Sequence, residues 1–216
     1  MRKLFIWDYH GTLERGNEDV VLEYTNLALE RMGYQRRLTR EENLKLYGIA
    51  WYKYFEYLLP EETHQQHLAI QDMCLKIEHE RPETWDRYLK PNDGLHEVVS
   101  AIHASIHDQI IISNTEEHVI GRFVNAIGLD QFFPEGKYFA TNTHLGARET
   151  KHDKLKRYLI GREFDHFVAI GDGPKDLEYV QEYPNTTYLY AHPGWKFRDY
   201  PATYRIHDLR EVLKEL

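Results

Sequence analysis

The sequence predicts an α/β fold, a doubly wound parallel sheet into which an α-helical module is inserted. Three observations carry this. Short apolar runs alternate with helical patterns from about residue 90 onward. One further run of the same kind, "LFIWD" at residues 4–8, stands alone near the beginning. Between the two lie four helical segments in succession with no strand pattern, over roughly residues 15–88. A strand cut off from its continuation by a helical bundle implies an insertion just after the first strand.

Taken in order, residues 4–8 read as a fully buried strand, apolar without alternation. Residues 18–32 place Val21, Tyr24, Leu27, Ala28 and Met32 on one helical face, with Gly33 as a stop. Thr39 and Glu42 stand in a capping-box relation and open a second helix that runs to about Tyr47. A third segment covers about 51–59 before Pro60, and a fourth covers 61–79. Beyond Pro91 come helix 93–104, strand 109–113, helix 116–127 and a short strand near "KYFA". Helix 151–160, strand 166–170, helix 174–182 and strand 186–190 complete the pattern. The domain boundaries expected from this are a core of residues 1–13 and 90–216 and an insert of residues 14–89.

Composition narrows the function classes. A formal net charge of -8 opposes general binding to nucleic acid or to a membrane surface, both polyanions. No apolar run is long enough to span a bilayer, and Trp7-Asp8 interrupts any leader-like stretch, so a cytoplasmic location is expected. One cysteine, Cys74, excludes an internal disulfide and reads as a small core or half-buried residue in a helical pattern.

Ligands of an open parallel sheet bind at the carboxyl ends of its strands. Three strands here end in polar groups: "FIWD" in Asp8, "IIISN" in Ser113 and Asn114, and "FVAIGDGPKD" in Asp172 and Asp176. Each alone is an ordinary helix cap. Acids from separate strands meeting at one edge repel unless a cation or a proton lies between them. With Lys151 ahead of the third strand, the set holds the parts of a phosphoryl-transfer site: a carboxylate nucleophile, hard-cation ligands, a hydroxyl and an ammonium.

"DYHGTL", "IIISN", a downstream lysine and "GDGPKD" resemble, in order, the four motifs of the haloacid dehalogenase-like hydrolases. The resemblance covers the whole chain, because the helical insert lies where that family carries its helical (C1) cap on a Rossmann-like core. It implies that Asp8 is the nucleophile and forms an aspartyl-phosphate. It implies Mg²⁺ held by Asp8, the backbone carbonyl of His10 and Asp172, with Asp176 in support. Ser113, Lys151 and Asn114 would hold the transferring oxygens of a small phosphorylated substrate. Lys154 is the second candidate for the lysine; Lys151 lies at the more usual distance from Asp172.

His10 departs from the family pattern, which has a second aspartate there as acid and base in its phosphatases. The metal contact at this position comes from the backbone in that family, so the change need not abolish Mg²⁺ binding. An imidazole titrates near neutral pH and can serve as acid and base. The expected activity is therefore Mg²⁺-dependent hydrolysis of a phosphate monoester with a modified acid/base. The competing reading is a catalytically weak or inactive phosphate-binding protein.

In capped relatives a loop around a glycine at the end of the second cap helix reaches over the leaving group. "LYGIAWYK" (46–53) occupies that place, and Trp51, Tyr52 and Lys53 are its candidate substrate contacts. Trp51, Tyr54 and Phe55 also have the i, i+3, i+4 spacing of a packed helix face. The pairs His103/His107 and His64/His67 read as solvated helix faces. Arg36, Arg37 and Arg40 read as solvated charge, and "HPGW" (192–195) as a Pro-Gly turn. The expected assembly is a monomer or homodimer.

Overall fold

The computed structural model describes residues 1–141 and 149–216. Its strands are β1 (Lys3–Trp7), β2 (Glu14–Arg15), β3 (Lys90–Pro91), β4 (Asp108–Ser113), β5 (Tyr138–Ala140), β6 (His166–Gly171), β7 (Asn185–Tyr190) and β8 (Tyr204–Ile206). Six of them form one parallel sheet in the order β5-β4-β1-β6-β7-β8. β1 is central, with Trp7 opposite Ile111 on one side and Ile170 on the other. The chain fills the β4 side first and then returns to the β6 side, so the strand order diverges at the carboxyl end of β1. Every residue of "LFIW" is fully buried, as a strand covered on both faces requires. On one face Leu4 and Ile6 join Ile110, Ile112, Phe167 and Ala169 under Leu155, Tyr158 and Leu177.

The chain divides into two compact units, Met1–Arg15 with Lys90–Leu216, and Gly16–Leu89. Glu14 and Arg15 stay with the core because β2 pairs antiparallel with β3, a two-residue ladder too short to leave a periodic signal. The second unit holds α1 (Asn17–Arg31), α2 (Arg40–Leu46), α3 (Tyr52–Leu58), α4 (His64–Glu80) and α5 (Glu83–Tyr88). Gly16 enters it at φ +100, and a Cβ there would lie 2.1 Å from the Tyr88 carbonyl oxygen, so only glycine fits. The Thr39–Glu42 capping box opens α2, and a second box, Thr63–Gln66, opens α4.

Two details of the insert differ from the sequence reading. α1 buries Val20, Tyr24, Thr25, Ala28 and Leu29, whereas Val21, Leu27 and Met32 are half-buried. The apolar residues of "VVLEYTNLAL" spread over more than one stripe, so periodicity alone left the inward face about one position out. α5 was not foreseen, because "ETWDRY" is one polar turn anchored by buried Thr84 and Trp85. Cys74 is fully buried, as its helical setting predicts.

The core helices are α6 (Leu95–His103), α7 (Glu117–Ala126), α8 (Lys151–Leu159) and α9 (Pro174–Leu177). α9 is shorter than the 174–182 helix expected. It tightens to a 3₁₀ turn at Glu178–Val180, and the Asn185 amide then donates to the carbonyls of Val180 and Tyr183. β8 and the 3₁₀ segment Leu209–Glu215 were also unforeseen; of "YRI" only Ile206 is buried.

Candidate active site

The site grows from the central strand. The apolar run of β1 ends at Trp7, and Asp8 still donates its backbone N–H to the Ile170 carbonyl (2.9 Å). The carboxylate is thereby fixed at the sheet edge with only 6% exposure. β6 delivers the second group. Gly171 has no room for a side chain, since a Cβ would lie 2.1 Å from the Asp176 Cβ. That close approach lets the chain turn back so that Asp176 caps Gly173 N–H (2.9 Å). The carboxylates of Asp8, Asp172 and Asp176 each bring an oxygen within 4.8 Å of the others.

Lys151, at the first position of α8, reaches into this group from a Thr150–Asp153 capping box. Its ammonium lies 2.5 Å from Asp8 Oδ1 and 2.7 Å from Asp176 Oδ1, with the side chain 4% exposed. Lys154, by contrast, is paired with Glu149 at 2.6 Å. The structure thus brings Lys151, and not Lys154, to Asp8.

Crowding of acids shows in their proton affinities. Burial and the charge of Asp176 push the Asp8 carboxyl up to about 6, against the pull of Lys151. Burial and Asp176 also hold Asp172 well above the usual carboxylate range, although Arg198 opposes this. Burial disfavours the Lys151 ammonium, but Asp176 and Asp8 outweigh it and keep the group charged. An excess of buried negative charge over the one ammonium is the condition under which a divalent cation is stabilising.

Ser113 ends β4 and is 1% exposed, and its Oγ has no hydrogen-bond partner among the described residues. Asn114 follows at the surface, its Oδ1 accepting from Thr141 Oγ1 at 3.1 Å. His10 lies just beyond Asp8. Its ring stands edge-on to Tyr9 and Phe123, and Nδ1 is 3.1 Å from Oε1 of the fully buried Glu14.

Trp51, Tyr52 and Lys53 lie in the other unit, described by itself. Trp51 is 9% exposed and its indole N–H donates to Thr25 Oγ1 (2.9 Å), which makes it a packing residue of the helical module. Tyr52 is half-buried with its ring edge-on to His64, and Lys53 is exposed. The expectation of a solvated His64/His67 face is corrected for His67, which is 4% exposed with Nε2 2.9 Å from the Leu59 carbonyl. His107 lies beyond the end of α6 and accepts the Lys3 N–H, so it does not share a helix face with His103. Arg36 and Arg40 are paired with Glu42 and Asp19 within their own unit.

Two site residues escaped the sequence reading. Glu14 could have been found as an acid placed four residues after His10 in an otherwise apolar turn. Arg198, 2.9 Å from Asp172 Oδ2, arrives from a loop beyond β7 with no motif to announce it.

The model of the haloacid dehalogenase-like hydrolases matches residues 2–181. No curated protein sequence matches the chain. Among solved structures, a predicted phosphoglycolate phosphatase from Haemophilus somnus superposes with a TM-score of 0.77 at 15% identity, covering 99% of this chain and 97% of that one. A haloacid dehalogenase-like hydrolase from Streptococcus pneumoniae gives 0.73 at 14% identity, with 99% and 98% covered. A subfamily IA hydrolase of the same superfamily from Geobacter sulfurreducens gives 0.72 at 17%, with 99% and 96% covered. The likenesses fix the fold, and the family match spans most of the chain. This protein belongs to the haloacid dehalogenase-like hydrolases.

Proposed function

We propose that the protein hydrolyses a small phosphate monoester through an aspartyl-phosphate on Asp8, with Mg²⁺ as its cation and the helical unit as its cap. The observation that carries this is the placement of Asp8, Asp172 and Asp176 within reach of one cation, with the Lys151 ammonium bridging Asp8 and Asp176. The donor set is all carboxylate oxygen, which suits a hard divalent ion. Asp8, Asp172 and the His10 carbonyl would hold Mg²⁺, with Asp176 in support; when bound, it offsets the charge of the phosphoryl oxygens.

The chain's own residues supply the rest. An Asp8 carboxylate oxygen attacks phosphorus, the bond to the ester oxygen breaks, and that oxygen leaves with a proton from the His10 imidazole. Glu14, as a carboxylate, accepts from Nδ1–H, so Nε2 is the nitrogen that gives this proton from the imidazolium form. The imidazole then takes a proton from the water that attacks the aspartyl-phosphate, releasing phosphate and restoring Asp8. Lys151 and the Ser113 hydroxyl meet the charge on the equatorial oxygens, with the Asn114 amide beside them. The unpartnered Ser113 Oγ fits a donor reserved for such an oxygen.

Tyr52 and Lys53 are the cap residues proposed for the leaving group, and Trp51, the third candidate, packs on Thr25. A cytoplasmic monomer or homodimer acting on a small metabolite completes the proposal. Release of phosphate from a panel of phosphomonoesters, with Mg²⁺ and then with Asp8→Asn, tests it. Asp8→Asn is expected to abolish turnover in a folded chain. Retention of most of the activity would rule out the covalent route, and no turnover in the wild type would favour a phosphate-binding role.

A further inference from the structure

The helical unit carries a second cluster of potential metal ligands, unrelated to the phosphoryl site. Glu56 on α3 and His64 and His67 on α4 each bring one ligand atom within 4.8 Å of the others. Glu56 Oε1 and His64 Nδ1 are 3.5 Å apart, close to the roughly 3.3 Å that separates neighbouring ligands of a tetrahedral zinc ion. His67 supplies an independent sign. A carbonyl only accepts, so the contact between Nε2 and the Leu59 oxygen puts the ring proton on Nε2. Nδ1 is then a bare lone pair, buried and without a hydrogen-bond partner among the described residues. A buried acceptor left unmatched is costly. A histidine that gives one N–H to a backbone carbonyl and keeps the other nitrogen bare is oriented as metal-bound histidines are.

We propose that Glu56, His64 and His67 form a site for a divalent ion of the zinc type, bound through His67 Nδ1, one His64 ring nitrogen and the Glu56 carboxylate. Two imidazoles and one carboxylate favour zinc over magnesium, which takes oxygen ligands. His67 is fixed by its carbonyl contact, while His64 and Glu56 are exposed and free to close the remaining distance. The Tyr52 ring, edge-on to His64 at 5.4 Å, limits the directions that imidazole takes. The ion joins the end of α3 to the first turn of α4 across the connection at residues 59–63, so it acts as a clip within the helical unit.

The test uses the full chain, stripped with chelator and titrated with Zn²⁺ in excess Mg²⁺, so that the core carboxylates are occupied. Stoichiometry is read by equilibrium dialysis, and the Co²⁺ form is read by its visible absorption. One zinc per chain is expected, with a raised melting temperature and a tetrahedral cobalt spectrum. His64→Ala should weaken binding at least about tenfold, and Glu56→Gln should weaken it too; both residues are exposed, so the fold is retained. Asp172→Asn should leave zinc binding intact. The proposal is overturned if no zinc binds, if His64→Ala binds zinc as the wild type does, or if Asp172→Asn alone removes it.

Discussion

At the scale of single residues, Lys151 and His10 set the properties of the site. Lys151 is a buried cation held between two acids, and its removal leaves Asp8 and Asp176 facing each other. Breaking a buried ion pair in this way costs about 3–5 kcal/mol. Lys151→Met is therefore expected to be inactive and to melt well below the wild type without metal. Mg²⁺ should raise its melting temperature by more than it raises that of the wild type, because a cation restores the missing charge. Equal shifts in a thermal melt would show that the ammonium and the metal do not share these carboxylates. His10→Ala should lower kcat by about 10²-fold or more, whereas His10→Asp should keep or raise it. If kcat for His10→Ala equalled the wild type across the neutral pH range, the imidazole would have no part in proton transfer.

Elements show where sequence patterns suffice and where they stop. β1, β4 and β6 were legible because a strand buried on both faces carries an unbroken apolar run, and an acid or hydroxyl at its end marks the site edge. Asp8, Asp172 and Asp176 followed from that rule together with the family motifs. Arg198 did not, since a partner that arrives from a distant loop obeys no spacing, and Glu14 was missed although it stands four residues after His10. The polarity of His67 suggested a wet helix face, yet the ring is buried with Nε2 against the Leu59 carbonyl. Trp51 poses the same problem just ahead of α3. Its spacing served a binding loop and a packed face alike, and the contact with Thr25 supports packing. Trp51→Ala is expected to cost about 3–5 kcal/mol of stability, with similar losses on large and small phosphoesters. An unchanged melting temperature with KM raised for only one substrate would return the ring to substrate contact.

Across the whole molecule, acid sensitivity is fixed in part far from the site. Asp108 opens β4, where burial opposes its ionisation, but Lys137 and Tyr158 hold its carboxyl below the usual range. A depressed carboxyl contributes stability that is present above its unfolded pKa, about 4, and lost as pH falls through the folded value. Asp108→Asn should therefore be less stable than the wild type by about 1–3 kcal/mol at neutral pH. The gap in urea denaturation should close as pH falls below about 4. A gap that persists undiminished in acid would mean that shape, and not charge, is what asparagine fails to supply.

The central place of β1 has a consequence in time. Its partners are residues 108–111 on one side and 166–170 on the other, so the strand that carries Asp8 is translated long before either neighbour exists. At ordinary elongation rates the wait from Asp8 to Gly171 is roughly 10 to 30 s. Until β4 is made, the apolar "LFIW" segment has no sheet to enter, and pairings so distant along the chain are slow to close. The helical unit, built from a contiguous stretch with its own capping boxes, depends on none of these partners. Nascent chains cut short before β4 are thus left with an unpaired hydrophobic strand, the feature that chaperones and aggregation compete for.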